Sequence, residues 1–176
     1  MTKPTFHLAT DHAGLELKNE ALVWLTENGY TVLDHGAHHF DALDDFPDFI
    51  KLAAEAVSKD PLSRAIIFGG SGQGEAMVAN RYPQVRATVY YGGNEEIVAL
   101  SRHHNDANIL SVGARFVSME MLARVLPKWL TESVLPDSKY ERRNQKIEHI
   151  TKRAPTERIF ASLCWRERVT ISSLPP

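Results

Sequence analysis

Apolar positions fall along this chain in two alternating rhythms. Short runs at 6–9, 30–33, 65–68, 87–90 and 109–112 carry the β-branched, aromatic and small apolar residues of buried strands. Between them, apolar residues recur at helical spacing over 15–27, 49–57, 75–81, about 95–102 and 119–130, with Ser118 in N-cap position for the last. Strand and helix in strict succession predict an α/β domain whose mostly parallel sheet is covered on both faces and joined by right-handed crossovers. Ligands of such sheets sit beyond the carboxyl ends of the strands, so the polar residues just past each run are the ones that matter.

A charged helix is predicted over 140–150, with Ile147 and Ile150 three apart. Residues 152–176 then change character and lack a partner strand. They divide the chain into a domain at 1–151 and a C-terminal extension, helical in part or loose, that is expected to pack on the partner subunit through Phe160, Leu163 and Trp165. Composition narrows the class. At 176 residues and 43% hydrophobic content, one domain with a full core is expected. Net charge is −2 and the basic residues are dispersed, which argues against nucleic acid as partner. The N-terminal stretch has no signal-type apolar core, and no run approaches a membrane span. The single cysteine, Cys164, excludes an internal disulfide framework; a cytoplasmic protein is expected.

Three strand ends carry chemistry. The first is Thr10-Asp11-His12-Ala13-Gly14, where Asp11 either caps the following helix or serves a ligand. The third is GGSGQGEA, residues 69–76, whose glycines let backbone N–H groups turn toward an anion. Gln73 stands where a nucleophile elbow needs its last glycine, Met77 breaks the dinucleotide fingerprint, and no Gly-Lys-Ser/Thr follows. What remains is an anion cradle with a carboxylate beside it. If Glu75 is the first or second residue of its helix, the dipole keeps it ionised and able to accept a proton, while the loop amides face a developing enolate oxygen. Before the fifth strand come Arg102-His103-His104-Asn105, with Arg115 after it; at most one of the adjacent histidines is expected to work in a given site. His38 and His39, near Asp41, Asp44 and Asp45, match no familiar zinc spacing and read as a solvated polar loop.

Together the stretches DHAGLELK (11–18), DFPDF (45–49), GGSGQGEAMVANR (69–81), SRHHNDANILSVGAR (101–115) and YERRNQKIEHI (140–150) resemble the ribose-5-phosphate isomerase type B family, which includes allose- and galactose-6-phosphate isomerases. The resemblance implies a Rossmann-like three-layer α/β/α sandwich with a five-stranded parallel sheet, a homodimer or dimer of dimers, and sites between subunits. It implies a sugar phosphate as ligand and neither cofactor nor metal. One branch of that family carries a catalytic cysteine at the position of Gly69; another carries the glutamate found here as Glu75, which marks Glu75 as the base. By the same resemblance His104 assists ring opening and Asp11 holds sugar hydroxyls or the ring oxygen. Ser71, Gly70, Gly72 and Gly74 line the anion hole, and Asn105 contacts sugar oxygens. His12, Arg115, Arg142 and Lys146 bind phosphate, as a dianion requires. Lys146 replaces the usual arginine, Arg143 a common histidine and Phe46 a frequent tyrosine. The expected activity is interconversion of ribose 5-phosphate and ribulose 5-phosphate through a cis-enediolate. The alternatives are the same chemistry on another sugar or sugar phosphate, or a non-catalytic sensor, which would need the cradle but no base.

Overall fold

The computed structural model describes residues 3–134 and 136–151. Five strands, β1 (Phe6–Thr10), β2 (Val32–Asp34), β3 (Arg64–Gly69), β4 (Ala87–Tyr90) and β5 (Ile109–Gly113), form one all-parallel sheet in the order β2-β1-β3-β5-β4. Six α-helices accompany them, α1 (Leu15–Glu27), α2 (Phe46–Lys59), α3 (Gln73–Ala79), α4 (Glu96–Asn105), α5 (Met119–Thr131) and α6 (Lys139–Thr151), and a single 3-10 turn, His12–Gly14, precedes α1.

The two-residue period of the strands sorts the core into two layers. Phe6, Leu8, Ile66, Phe68, Leu110 and Val112 face α1 and α5, where Leu17, Leu25, Leu126 and Trp129 close over them. Their neighbours Ala9, Ala65, Ile67 and Ile109 face α2 and α3 and pack on Ile50, Ala53, Ala54, Val57 and Ala79. The sheet is therefore buried on both sides, as the unbroken apolar runs require. Connections leave β1 toward β2 on one side and continue from β3 to the other, so the strand order reverses between β1 and β3.

Helix α1 and strand β4 match their expected bounds, and Ser118 accepts the Met121 N–H at 3.3 Å as N-cap. Four elements differ by two residues or more at one end, the others by a single residue. Tyr30 is not in β2 but packs edge-on to Phe6 with ring centroids 5.3 Å apart. Helix α2 starts at Phe46, because Pro47 suits a first turn. Helix α3 starts at Gln73, and α4 runs on to Asn105, which places both adjacent histidines on its last turn. Residues 152–176 and the packing expected of Phe160, Leu163 and Trp165 lie outside the described residues. Among the described residues no helix is long and apolar enough to cross a membrane.

Candidate active site

The carboxyl ends of β1, β3 and β5 lie side by side, Thr10 opposite Phe68 and Gly69 opposite Gly113. Past these pairs the ladder continues: Ala114 N–H donates to Gly69 O at 2.8 Å and Arg115 N–H to Gly70 O at 3.2 Å. The Asp-His-Ala-Gly turn is pressed against the end of β3, since a Cβ on Gly14 would stand 2.5 Å from Thr10 Oγ1 and 2.6 Å from Phe68 Cβ. Gly72 takes a left-handed φ of 76°. Its carbonyl accepts from buried Ser111 Oγ at 2.6 Å, which fixes the loop from below. Among the described residues the N–H groups of Gly70, Ser71 and Gly72 donate to no protein acceptor, so they are available to an anion. Ser71 is exposed and its Oγ lies 3.4 Å from Gln73 N.

Glu75 is only 5% exposed, and its carboxylate rests on the Cα of Gly69: a Cβ at that position would overlap it. Side chains at 69 and a carboxylate from 75 thus compete for one place. Glu75 is the third residue of α3, not the first or second, and burial decides its acidity. Desolvation raises its pKa, its own backbone N–H lowers it, and the charge of Asp11 raises it again. The helix end does not hold Glu75 in its ordinary carboxylate range. A raised pKa makes it a stronger proton acceptor once ionised. Gly74, on the same loop, lies so near the Phe46 ring that a Cβ there would stand 2.9 Å from the ring tip, so Phe46 packs directly on the cradle.

Asp11 is buried and does cap the turn, accepting Ala13 N–H at 3.0 Å. The adjacent His12 is held by a residue that sequence reasoning did not select. Asp44 accepts from His12 Nδ1 at 2.6 Å and from the His12 backbone N–H at 3.0 and 3.2 Å. That hydrogen bond is the main cause of a raised His12 pKa; burial and Arg115 oppose it, and the charges of Asp11 and Asp44 support it. The loop before α2 is therefore not merely solvated: Asp44 is engaged, Phe40 stands edge-on to the His12 ring at 5.7 Å, and His38 lies 3.5 Å from Asp34. Asp11, His12 and Asp44 bring ligand atoms within 4.8 Å of one another, but the Asp44 oxygens already serve His12. Arg115 is exposed, with its guanidinium carbon 3.1 Å from a Cβ position on Gly70.

The remaining candidates are elsewhere. Helix α4 runs antiparallel to the strands, and its last turn reaches the amino ends of β4 and β5, where Arg86 binds Asp106 and Asn108. A five-residue parallel strand spans about 16 Å. His104 and Asn105 are thus at the opposite edge of the sheet from Glu75. His104 stacks on Tyr140 of α6 at 4.1 Å, and Asn144 donates to its carbonyl at 3.2 Å. On α6 the residues Tyr140, Asn144 and Glu148, four apart, face inward, Glu148 pairing with Arg86 at 2.7 Å. Arg142 and Lys146 lie on its exposed side. Eight candidates (Asp11, His12, Gly70, Ser71, Gly72, Gly74, Glu75 and Arg115) gather at one edge and four do not join them. Nothing local marks Asp44 as a partner of His12, which lies 32 residues away, and nothing local pairs Tyr140 with His104.

Comparison with known proteins bears on this arrangement. The ribose/galactose isomerase family model matches residues 6–147. Ribose-5-phosphate isomerase B of Mycolicibacterium paratuberculosis is 34% identical over 142 residues, covering 81% of this chain and 86% of that protein. The Escherichia coli protein of the same name is 33% identical over 143 residues, covering 80% and 90%. The crystal structure of ribose-5-phosphate isomerase B from Mycoplasma genitalium with bound ribulose-5-phosphate superposes with a TM-score of 0.81 at 32% identity, over 88% of this chain and all of that one. Sequence and fold agree over the same stretch that carries the strand-end chemistry, and the chain belongs to the ribose/galactose isomerase family, as an aldose-ketose isomerase of sugar phosphates.

Proposed function

We propose that the protein interconverts ribose 5-phosphate and ribulose 5-phosphate with Glu75 as the base. The observation that carries this reading is the buried Glu75 carboxylate laid on Gly69, beside a row of amides with no protein acceptor. In the open-chain aldose, Glu75 takes the proton from C2 as the C1–C2 double bond forms. The carbonyl oxygen becomes an enediolate oxygen and is met by the loop N–H groups of Gly70, Ser71 and Gly72 and by the Ser71 hydroxyl. A proton then moves from O2 to O1, and Glu75 returns its proton to C1. Asp11 holds the sugar hydroxyls and, with His104, opens the furanose. His12, Arg115, Arg142 and Lys146 bind the phosphate. The ribulose-5-phosphate bound by the Mycoplasma genitalium relative supports the substrate.

Because His104, Asn105, Arg142 and Lys146 lie at the far edge of the chain that supplies Glu75, the working unit is a homodimer, or a pair of such dimers, in which one subunit supplies these four to the other's cradle. Exposed Met77, Tyr91, Ile97 and Leu100 around edge strand β4 offer an apolar surface for that contact. Residues 1–151 constitute the isomerase domain. Conversion of ribose 5-phosphate by the purified protein tests the reading. Glu75→Gln should lose at least about 10²–10⁴-fold in kcat with substrate binding retained; a variant keeping more than about a tenth of the rate removes Glu75 as base. Phe46 at the cradle makes sugar length the property to vary, and a panel of tetrose, pentose and hexose phosphates ranks the alternatives by kcat/KM.

A further inference from the structure

We infer that Asp44 is a positioning residue for phosphate recognition, acting through His12; this rests on the reading of His12 as a phosphate ligand. Three contacts converge on one carboxylate. Asp44 accepts from His12 Nδ1 at 2.6 Å, within the short range of charge-assisted bonds, and from the His12 backbone N–H through both oxygens at 3.0 and 3.2 Å. Its side chain is only 9% exposed, so this is not a loose surface pair.

Two consequences follow from that geometry. With Nδ1 bonded to Asp44, the imidazole has one free nitrogen, Nε2, and one orientation in which to present it. A histidine fixed in this way by a carboxylate keeps its ring in place for whatever its other nitrogen meets. The second consequence concerns the backbone. His12 follows Asp11, whose carboxylate caps Ala13, so the Asp44 contact to the His12 N–H also pins the turn that carries Asp11. One residue from the β2–α2 loop thereby ties the phosphate end of the site to the sugar end.

The loop that presents Asp44 is itself anchored. Ala37 N–H donates to Thr10 O and Thr10 N–H to Gly36 O, at 2.8 and 2.7 Å. Fully buried Lys18 donates to Ala37 O at 2.9 Å and pairs with Asp34 at 2.5 Å. Nearer the residue, Asp44 N–H donates to Asp41 O at 3.2 Å. Among the described residues, the charged groups that act on His12 are Asp44 from this loop, Asp11 from its own turn and Arg115 from the end of β5. Asp44 is the one in direct hydrogen-bond contact, and it favours the charged imidazole that a phosphate dianion prefers.

The test compares the full-length protein with Asp44→Asn, His12→Gln and the double variant. Ribose 5-phosphate kinetics are run from pH 6 to 8, with inorganic phosphate as competing probe. Asp44→Asn keeps the shape and removes the charge. It is expected to raise KM about 10-fold, the worth of one hydrogen bond to a charged group, with kcat changed less than about twofold. Inhibition by inorganic phosphate should weaken by a similar factor, and the loss should be largest where His12 is charged in the native protein and neutral in the variant, shrinking once both are neutral. In the His12→Gln background the same substitution should have little further effect. NMR titration of His12 supplies a readout apart from activity: its pKa should fall in Asp44→Asn. An unchanged His12 titration, or an equal Asp44→Asn penalty with and without His12, overturns the proposal. If His12→Gln itself leaves KM unchanged, the phosphate reading of His12 fails first, and the proposal with it.

Discussion

The two edges of the sheet present site residues in opposite ways. At the carboxyl edge most candidates are held from below: Glu75 rests on Gly69, Asp11 caps its own turn, His12 is gripped by Asp44, and the glycine loop is fastened by Ser111, while the Arg115 side chain is exposed. At the amino edge the candidates ride on helices, with Asn105, Arg142 and Lys146 exposed and only His104 stacked on Tyr140. In the proposed reaction the first edge is a finished proton-transfer machine within one chain. In the same proposal the second is a set of side chains that reaches a cradle only across a subunit boundary.

Substitution at Gly69 breaks the first edge most severely. Gly69→Ala introduces a Cβ where the Glu75 carboxylate lies, so the carboxylate must leave its place. The expected loss in kcat approaches that of Glu75→Gln, at least about 10²-fold, since both remove the positioned base. Circular dichroism and Tm separate this from unfolding, because Gly69 has an ordinary φ and the alanine itself is tolerated by the backbone. Near-normal turnover in Gly69→Ala would show that the carboxylate position is not the catalytic one.

Complementation tests the division between edges. Glu75→Gln and His104→Gln chains should each be weak alone. Mixed and allowed to exchange subunits, they should recover roughly a quarter of wild-type activity, because about half of randomly paired dimers are mixed and each has one intact site. No recovery on proven exchange would mean that Glu75 and His104 do not share a site across subunits. A smaller effect is expected at Lys146. An ammonium offers a phosphate no bidentate fork, so Lys146→Ala should raise KM by about 3–10-fold with kcat largely kept, and Lys146→Arg should match or improve on the native residue.

The contrast between the edges also explains what was legible in the sequence. Strand runs, the glycine cradle and the Asp-His-Ala-Gly turn are local patterns, and they sit where the alternation of strand and helix implies. The extent of α4 was not legible, because His103-His104-Asn105 lacks apolar marks and its contacts, His104 on Tyr140 and its carbonyl on Asn144, come from α6. Asp44 is one of several acidic residues in a polar loop, and nothing nearby in sequence distinguishes it from Asp41 or Asp45; its role is created by a contact across 32 residues. The acidity of Glu75 went the other way from the dipole argument. A helix of seven residues offers a modest charge at its end, whereas burial beside Asp11 acts on the whole carboxylate.

The raised pKa of Glu75 has a thermodynamic signature. Glu75 holds its proton more tightly in the folded chain than in the unfolded one, so its contribution favours folding at acidic pH and is lost as pH rises through the folded pKa. At neutral pH the ionised carboxylate is therefore a cost to the fold that the proposed role as base requires. Glu75→Gln removes the charge and keeps the size, so the variant should melt higher than the native protein at pH 7–8. The difference should shrink as pH falls below the ordinary carboxylate range, where both side chains are neutral. A Tm gap that widens toward acid pH would reverse the sign and mean that the ionised form of Glu75 is stabilised in the fold. The amino edge supplies the control: Arg142→Gln and Lys146→Gln alter exposed helix positions and should leave the pH dependence of Tm nearly untouched, within about 0.5 kcal/mol.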